Sequence, residues 1–286
     1  MATFGLVLHH QRPEAAVLAV DATRRLEADG HHVRLPRSDA IGAGLADHGV
    51  DEVDFAAGLD VTVSLGGDGS MLRAVHLVAA AGVPVIGVNL GQLGYLTEVE
   101  PAGLWDALDR FLRGDYVIES RMLLAVSMLG AGSESSSGPL LALNDAVLEK
   151  TPLGHTVRLD VSIDGQSFTP YAADGLIVAT PTGSTAYNLS ARGPIVAPAH
   201  RAMVLTPVSP HMLFDRSLVL EPQSSLRITV SGHRPANLAI DGRIVVELLP
   251  GEGIECTASP HVAGFVTFGP RDFHRTLKAK FGLSDR

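Results

Sequence analysis

Residues 60–81, DVTVSLGGDGSMLRAVHLVAAA, place three glycines and an aspartate between an apolar run and a helical pattern. The run 60–65 is short, carries Val61, Val63 and Leu65, and reads as a buried strand, and residues 71–81 carry the helical spacing. Another apolar run follows at 83–88. A buried strand that turns at once into a helix and returns as a second buried strand fits a parallel sheet with covering helices. The residues before it agree. Residues 4–8 read as a strand; from Pro13, a good first-turn residue, the segment to Ala28 puts Leu18, Ala22 and Leu26 on one stripe, and Gly30 can stop it. Residues 33–35 read as a second strand.

After a helix carrying Leu104, Leu108 and Leu112 the pattern changes. Val157, Leu159, Val161 and Ile163 alternate with other residues and run into Asp164-Gly165, a hairpin signal. Further short strands are expected at 176–179, 203–205, 218–220, 226–230 and 238–240, with a second Asp-Gly at Asp241-Gly242. The expected fold class is therefore an α/β N-terminal domain with a parallel sheet and covering helices, followed by a mostly antiparallel β domain. Residues 1–120 with 260–286 form the first and 121–259 the second. The Ser- and Gly-rich stretch 130–138 reads as a loop inside the second, and 272–281 as a C-terminal helix packing back on the first.

The glycine loop suits phosphate oxygens. The first turn of a helix has unpaired N–H groups, its dipole is positive there, and glycine lets the backbone approach closely. Asp68 is the unusual member. It either caps its helix, accepts the proton of an attacking hydroxyl, or holds Mg²⁺. There is no Gly-Lys-Ser/Thr of a Walker loop, no third glycine of a dinucleotide fingerprint, no Gly-x-Ser-x-Gly elbow and no His-Glu-x-x-His. Asn144-Asp145 reads as a polar break in a strand. His9, His10, His31 and His32 form pairs without ligand spacing and read as surface residues.

Composition narrows the partners. Over 286 residues, 22 Lys and Arg against 31 Asp and Glu leave a formal net charge of −9, which disfavours nucleic acid and anionic membranes. Hydrophobic residues at 46% supply a sizeable core. One cysteine, Cys256, excludes a disulfide framework and suits a reducing compartment. The first residues, MATFGLVLHH, lack a basic n-region, and the apolar stretch 74–88 is interrupted by His76, Gly82 and Pro84. The expectation is a soluble, cytoplasmic protein without a signal peptide or membrane span.

Taken together, several segments resemble the bacterial NAD kinase family. They are GGDGS at 66–70 with Leu72-Arg73, VIGVNLGQLGYLTE at 85–98, LNDAVLEK at 143–150, DGLIVATPTGSTAYNLSARGPIV at 174–196, Pro210-His211, and Asp241-Gly242-Arg243. The resemblance implies transfer of a phosphoryl group from ATP, or polyphosphate in its place, to the adenosine 2′-hydroxyl of NAD, forming NADP with Mg²⁺ or another divalent metal. It implies Asp68 as the base and Gly66, Gly67 and Gly69 as the phosphate loop, with Asp68, Gly69 and Arg73 close to NAD. Asn144 and Asp145 would bind adenosine, and Thr185, Ala186, Tyr187, Asn188 and Ser190 the adenine and ribose. His155 and Arg243 would be further contacts, and Asp174 a contact to the nicotinamide half. No metal ligand is assigned to a protein side chain.

Two positions depart from the family's pattern, Asn188 where Ser is common and Arg192 where Gly is common. The resemblance also implies a homo-oligomer, a tetramer or a dimer. Other kinases with a Gly-Gly-Asp-Gly loop, acting on lipids or sugar phosphates, lack counterparts of Asn144-Asp145 and of 182–190. A non-catalytic NADP(H) sensor on the same fold would have little use for the Asp68 carboxylate.

Overall fold

The structure, a computed structural model, describes residues 1–91, 94–130, 138–151, 156–270 and 272–283. It divides into two compact units, Met1–Ser120 with His261–Arg286, and Arg121–Pro260. The first begins β1 (Thr3–Leu8), α1 (Pro13–Ala28), β2 (His32–Pro36), α2 (Arg37–Gly42), β3 (Gly49–Val50) and α3 (Glu52–Phe55). It continues with β4 (Val61–Gly66), α4 (Asp68–Val78), β5 (Val85–Asn89) and α5 (Leu104–Leu112). The second holds most of β6 (Val117–Leu129), then β7 (Leu140–Ala142), β8 (Asp145–Lys150), β9 (Val157–Ile163), β10 (Gln166–Ala173), β11 (Gly175–Ala179) and α6 (Tyr187–Ser190). It goes on through β12 (Met203–Val208), β13 (Leu218–Leu220), β14 (Leu226–Val230), β15 (Ala236–Ile240) and β16 (Arg243–Leu248). Strand β17 (Gly253–Thr267) then returns the chain to the first unit, which ends in α7 (Phe273–Phe281).

The first unit's sheet runs β17-β5-β4-β1-β2-β3, with every pair parallel. The chain steps outward from β1 to β2 and β3, then crosses back to lay β4 on the other side of β1. The carboxyl ends of β1 and β4 therefore flank a topological switch point, where open α/β sheets bind ligands. Helices α1 and α5 cover one face, packing Ala15, Ala19, Ala22, Leu26, Leu104 and Leu108 on Phe4, Leu6, Val63 and Ile86. Phe55 of α3 comes against Gly5 on the other face, and Met71 of α4 against Gly87. In α1 the buried stripe centres on Ala15, Ala19, Ala22 and Leu26, with Leu18 at its margin. Helix α7 is capped by the Asp272 carboxylate, which accepts from Arg275 N at 3.0 Å. None of its residues is buried, and it contacts the first unit through the Lys280 ammonium, 4.5 Å from the Tyr95 ring centre.

The glycine loop is shorter than its sequence suggests. The helix opens at Asp68 rather than at Met71, because Gly67 is extended (φ −132°) and its carbonyl already accepts from Met71 N at 3.0 Å. Gly69 and Ser70 thus lie within the first helical turn.

In the second unit the antiparallel sheet β13-β12-β11-β8-β15-β16 shares one core with strands β9, β14 and the N-terminal part of β17. Leu148, Val178, Leu205 and Leu238 come from the first set, and Leu159, Ile228, Ile254 and Cys256 from the second. Cys256 is fully buried, and burial pushes its thiol up to about 12. The two Asp-Gly pairs make tight hairpin turns with both residues left-handed, at φ 50° and 77° for 164–165 and 47° and 78° for 241–242. No helix among the described residues is long and apolar enough to cross a membrane. Of the stretch 130–138, residues 131–137 lie outside the described residues.

Asp39, with its side chain wholly buried in the first unit, accepts from Leu8 N at 2.7 Å and from Arg73 Nη1 at 2.8 Å. Removing one partner of a buried pair strands the other charge. Asp39→Ala should lower stability by about 3 kcal/mol in urea unfolding; a loss below about 1 kcal/mol would show that Glu52, 3.2 Å from Arg73, suffices alone.

Candidate functional site

The first unit places its functional atoms at the end of β4. Gly66 leaves no room for a side chain beside Ser70, and Gly67 turns the chain into α4. Asp68, the first helical residue, does not cap its own helix. Its carboxylate instead accepts from Tyr95 N at 2.9 Å and from Leu96 N at 3.0 Å, in the segment after β5. Gly94 is required there, since a Cβ would overlap the Asp68 carboxylate. At the near end of that segment Arg12, from the loop after β1, donates to Leu90 O. Burial, and after it the Asp68 charge, raises the Tyr95 phenol above its usual range. A carboxylate held by two amides beside the open first turn of a helix can receive a proton next to bound phosphate.

The second unit builds a cleft of about 370 Å³ at Asn144, Asp145, Ala186, Tyr187 and Asp241. Asp241 organises it. Its carboxylate accepts from the backbone N–H groups of Leu143, Asn144 and Asp145 at 2.8, 2.7 and 3.0 Å. From the other side Thr180 Oγ1 donates to Leu143 O at 2.5 Å, and Gly183 lies so close to the Asn144 carbonyl that a side chain would overlap it. Asn144-Asp145 is thus a clamped corner at the start of β8. Asp145 is 3% exposed, and burial, then the nearby Asp241 charge, pushes its carboxyl up to about 7.

The expected site residues fall into groups. Gly66, Gly67, Asp68 and Gly69 stand together in the first unit, and Asn144, Asp145, Ala186 and Tyr187 together in the second. Arg73 is neither a free substrate contact nor an exposed helix residue: it is buried against Asp39 and Glu52. Asn188 is wholly buried. Its Nδ2 donates to Ser184 O and Pro194 O at 3.1 and 3.0 Å, and its Oδ1 accepts from Thr206 Oγ1 at 2.7 Å, so both donor hydrogens face protein. Asp174 pairs with Lys150 at 2.7 Å. Thr185 Oγ1 donates to Thr182 O at 3.3 Å, Ser190 lines a different cleft, and Arg243 is exposed beside Gly242. His155 lies outside the described residues. Sequence reasoning missed the role of Asp241, because an Asp-Gly turn accounts for that residue without its carboxylate.

A glycine loop opening a helix at a parallel-sheet switch point is the arrangement of a phosphate-handling protein. Comparison with known proteins specifies it. Residues 4–116 match the ATP-NAD kinase N-terminal domain and residues 143–268 the ATP-NAD kinase C-terminal domain. An NAD kinase of Symbiobacterium thermophilum is 38% identical over 281 residues, 98% of this chain and 99% of that protein. One from Moorella thermoacetica is 39% identical over 98% of this chain and 89% of its own. The chain belongs to the NAD kinase family, phosphotransferases with an alcohol group as acceptor. Among solved structures, yeast NADH kinase complexed with NADH superposes with a TM-score of 0.89 at 26% identity, covering 100% of this chain and 89% of that one. An Archaeoglobus fulgidus NAD kinase in complex with ATP, 23% identical, shares the fold with a TM-score of 0.74 over 97% of this chain and 98% of that one.

The buried Asp145 carboxyl sets a pH dependence. Its folded value lies above its unfolded one, so ionisation opposes folding: stability is fullest below about pH 4 for this group and falls as pH rises towards about 7. The rise from 3.8 to about 7 corresponds to about 4 kcal/mol. Asp145→Asn should be more stable than the native protein at pH 8, with the gap closing towards pH 4. Urea midpoints across that range check this, and a constant gap would contradict it.

Proposed function

We propose that the chain transfers the terminal phosphoryl group of ATP to the adenosine 2′-hydroxyl of NAD, yielding ADP and NADP. The observation that carries the mechanism is the Asp68 carboxylate, fixed by the Tyr95 and Leu96 amides at the mouth of the glycine loop. The first unit is assigned the phosphates and the second the NAD. In the first, Gly66, Gly67 and Gly69 let the amides that open α4 approach the phosphates. In the second, Asn144, Asp145, Ala186 and Tyr187 hold the adenosine, with Thr185, Ser190 and Arg243 as outer contacts. Asp174, its charge met by Lys150, is assigned to the nicotinamide half. Asn188 and Arg73 act by positioning, since their polar groups are engaged within the protein. Asp68 takes the hydroxyl proton as the O–P bond forms. In a loose transition state that proton leaves late, so a weak base in the right place suffices.

Among the described residues no group of three or more His, Cys, Asp or Glu side chains could hold a metal ion. A divalent ion, Mg²⁺ by its chemistry, would enter with ATP and offset the charge of its phosphates. NAD and ATP are intracellular nucleotides, and we place the reaction in the cytoplasm on that ground. Self-association into a dimer or tetramer is supported by apolar side chains on both edges of the second unit's six-stranded sheet. Ile244 (63% exposed) and Val245 stand on β16, and Val219 (60% exposed) on β13.

The test is conversion of NAD to NADP with ATP and Mg²⁺, read by an NADP-specific dehydrogenase. Asp68→Asn should lower kcat by about 10²–10⁴-fold with little change in the KM for NAD. A near-native rate in that variant would remove Asp68 as the base. Turnover on a lipid or sugar acceptor without NADP would overturn the substrate assignment.

A further inference from the structure

Four described residues other than glycine have left-handed backbones: Asp164, Asp241, Arg192 and Ser209. The two aspartates sit in Asp-Gly hairpin turns, where that conformation is ordinary. Arg192 (φ 65°) and Ser209 (φ 46°) have no such reason, and both line one polar cleft of about 520 Å³ in the second unit.

The position of Arg192 can be compared with its equivalents in the same chain. Helix α6 closes with Gly193 N donating to Asn188 O at 2.8 Å and Arg192 N to Leu189 O at 3.0 Å, the paired bonds of a Schellman cap. Helices α1, α2 and α5 close with the same pair, and there the left-handed residue is Gly30, Gly44 and Gly114. At α6 it is an arginine, held in a conformation that favours glycine. The turn is braced from within by the buried Asn188, whose Oδ1 accepts from Thr206 Oγ1. Thr206 in turn is 2.9 Å from Ser217 Oγ, beside Arg216. The cleft is thus lined by Arg192 and Arg216 with Ser190, Ser209 and Ser217, and Asp215, 3.5 Å from Arg216, is the one acidic residue among its described lining residues.

Tyr187 lines this cleft and the neighbouring one. The neighbour is lined by Asp145, Glu149 and Asp241 and, among the described residues, by no Lys or Arg, which suits the uncharged sugar and base of a nucleoside and repels phosphate. The two arginines line the first of these clefts.

We propose that the Arg192–Arg216 cleft is an anion subsite that holds a phosphate or pyrophosphate group beside the nucleoside cleft. The group belongs either to the dinucleotide itself or to a separate phosphorylated ligand. In the first case the subsite rests on the NAD kinase reading; in the second it does not.

The probe is inorganic pyrophosphate, titrated calorimetrically at constant ionic strength into the native protein and into Arg192→Gly. Glycine suits the left-handed turn, so the variant folds and its Tm should rise by a few degrees. Pyrophosphate affinity should nevertheless fall about tenfold or more, the loss of a charge-assisted contact. Any pyrophosphate at the glycine loop contributes equally to both proteins. If saturating NAD displaces the arginine-dependent pyrophosphate, the group is the dinucleotide's own; if both bind together, it belongs to a separate ligand. Equal pyrophosphate affinity in the two proteins, with or without the rise in Tm, overturns the proposal, whatever the outcome of the NADP assay.

Discussion

Carboxylates bonded to backbone amides hold each candidate site in shape. Asp68 takes the Tyr95 and Leu96 amides, Asp241 takes three successive amides from Leu143 to Asp145, and Asp39 takes the Leu8 amide together with Arg73. Each is a charge-assisted contact, stronger than a neutral hydrogen bond, and each fixes a loop at a strand end where no ladder partner is available. The glycines follow from this. Gly94 and Gly183 are the positions where a side chain would collide with the clamp or with the clamped backbone. Without Asp241 the corner at Asn144-Asp145 would lose acceptors for three amides, and the cleft beside it would lose one of its walls.

This use of acidic residues bears on the net charge of −9. A protein that handles two anionic nucleotides gains nothing from an overall negative field, yet some of its carboxylates point inward onto amides rather than outward. Positive potential is supplied locally, by the first turn of α4 and by arginines placed near a cleft. In the second unit Tyr187 lines both a cleft with Asp145, Glu149 and Asp241 and a cleft with Arg192, Arg216 and Asp215.

Much of the fold was legible because its elements carry strong periodicity. Pro13 and Gly30 delimit helix α1, alternation into Asp164-Gly165 delimits strand β9, and the glycines mark the strand-to-helix turn at 66–67. What escaped depended on contacts distant in sequence. Asp68 reaches 27 residues to Tyr95, and Asp241 reaches 96 to Asp145, so neither bond leaves a local pattern. Helix α4 starts earlier than its apolar spacing indicates, because glycine and aspartate are poor helix formers in general, whereas in a first turn an acidic residue meets the helix dipole favourably. Arg73 and Asn188 looked like ligand contacts from their place in motifs; burial, invisible in one sequence, turned them towards Asp39 and Thr206.

In the proposed reaction a phosphoryl group moves to the hydroxyl of a bound adenosine and Asp68 receives the proton. Phosphorus NMR of the reaction of NAD, ATP and Mg²⁺ tests it most directly. One new phosphomonoester resonance is expected, on the 2′-oxygen of the adenosine ribose, growing one-for-one with ADP. Release of inorganic phosphate without that ester, or an ester on another hydroxyl, would contradict it.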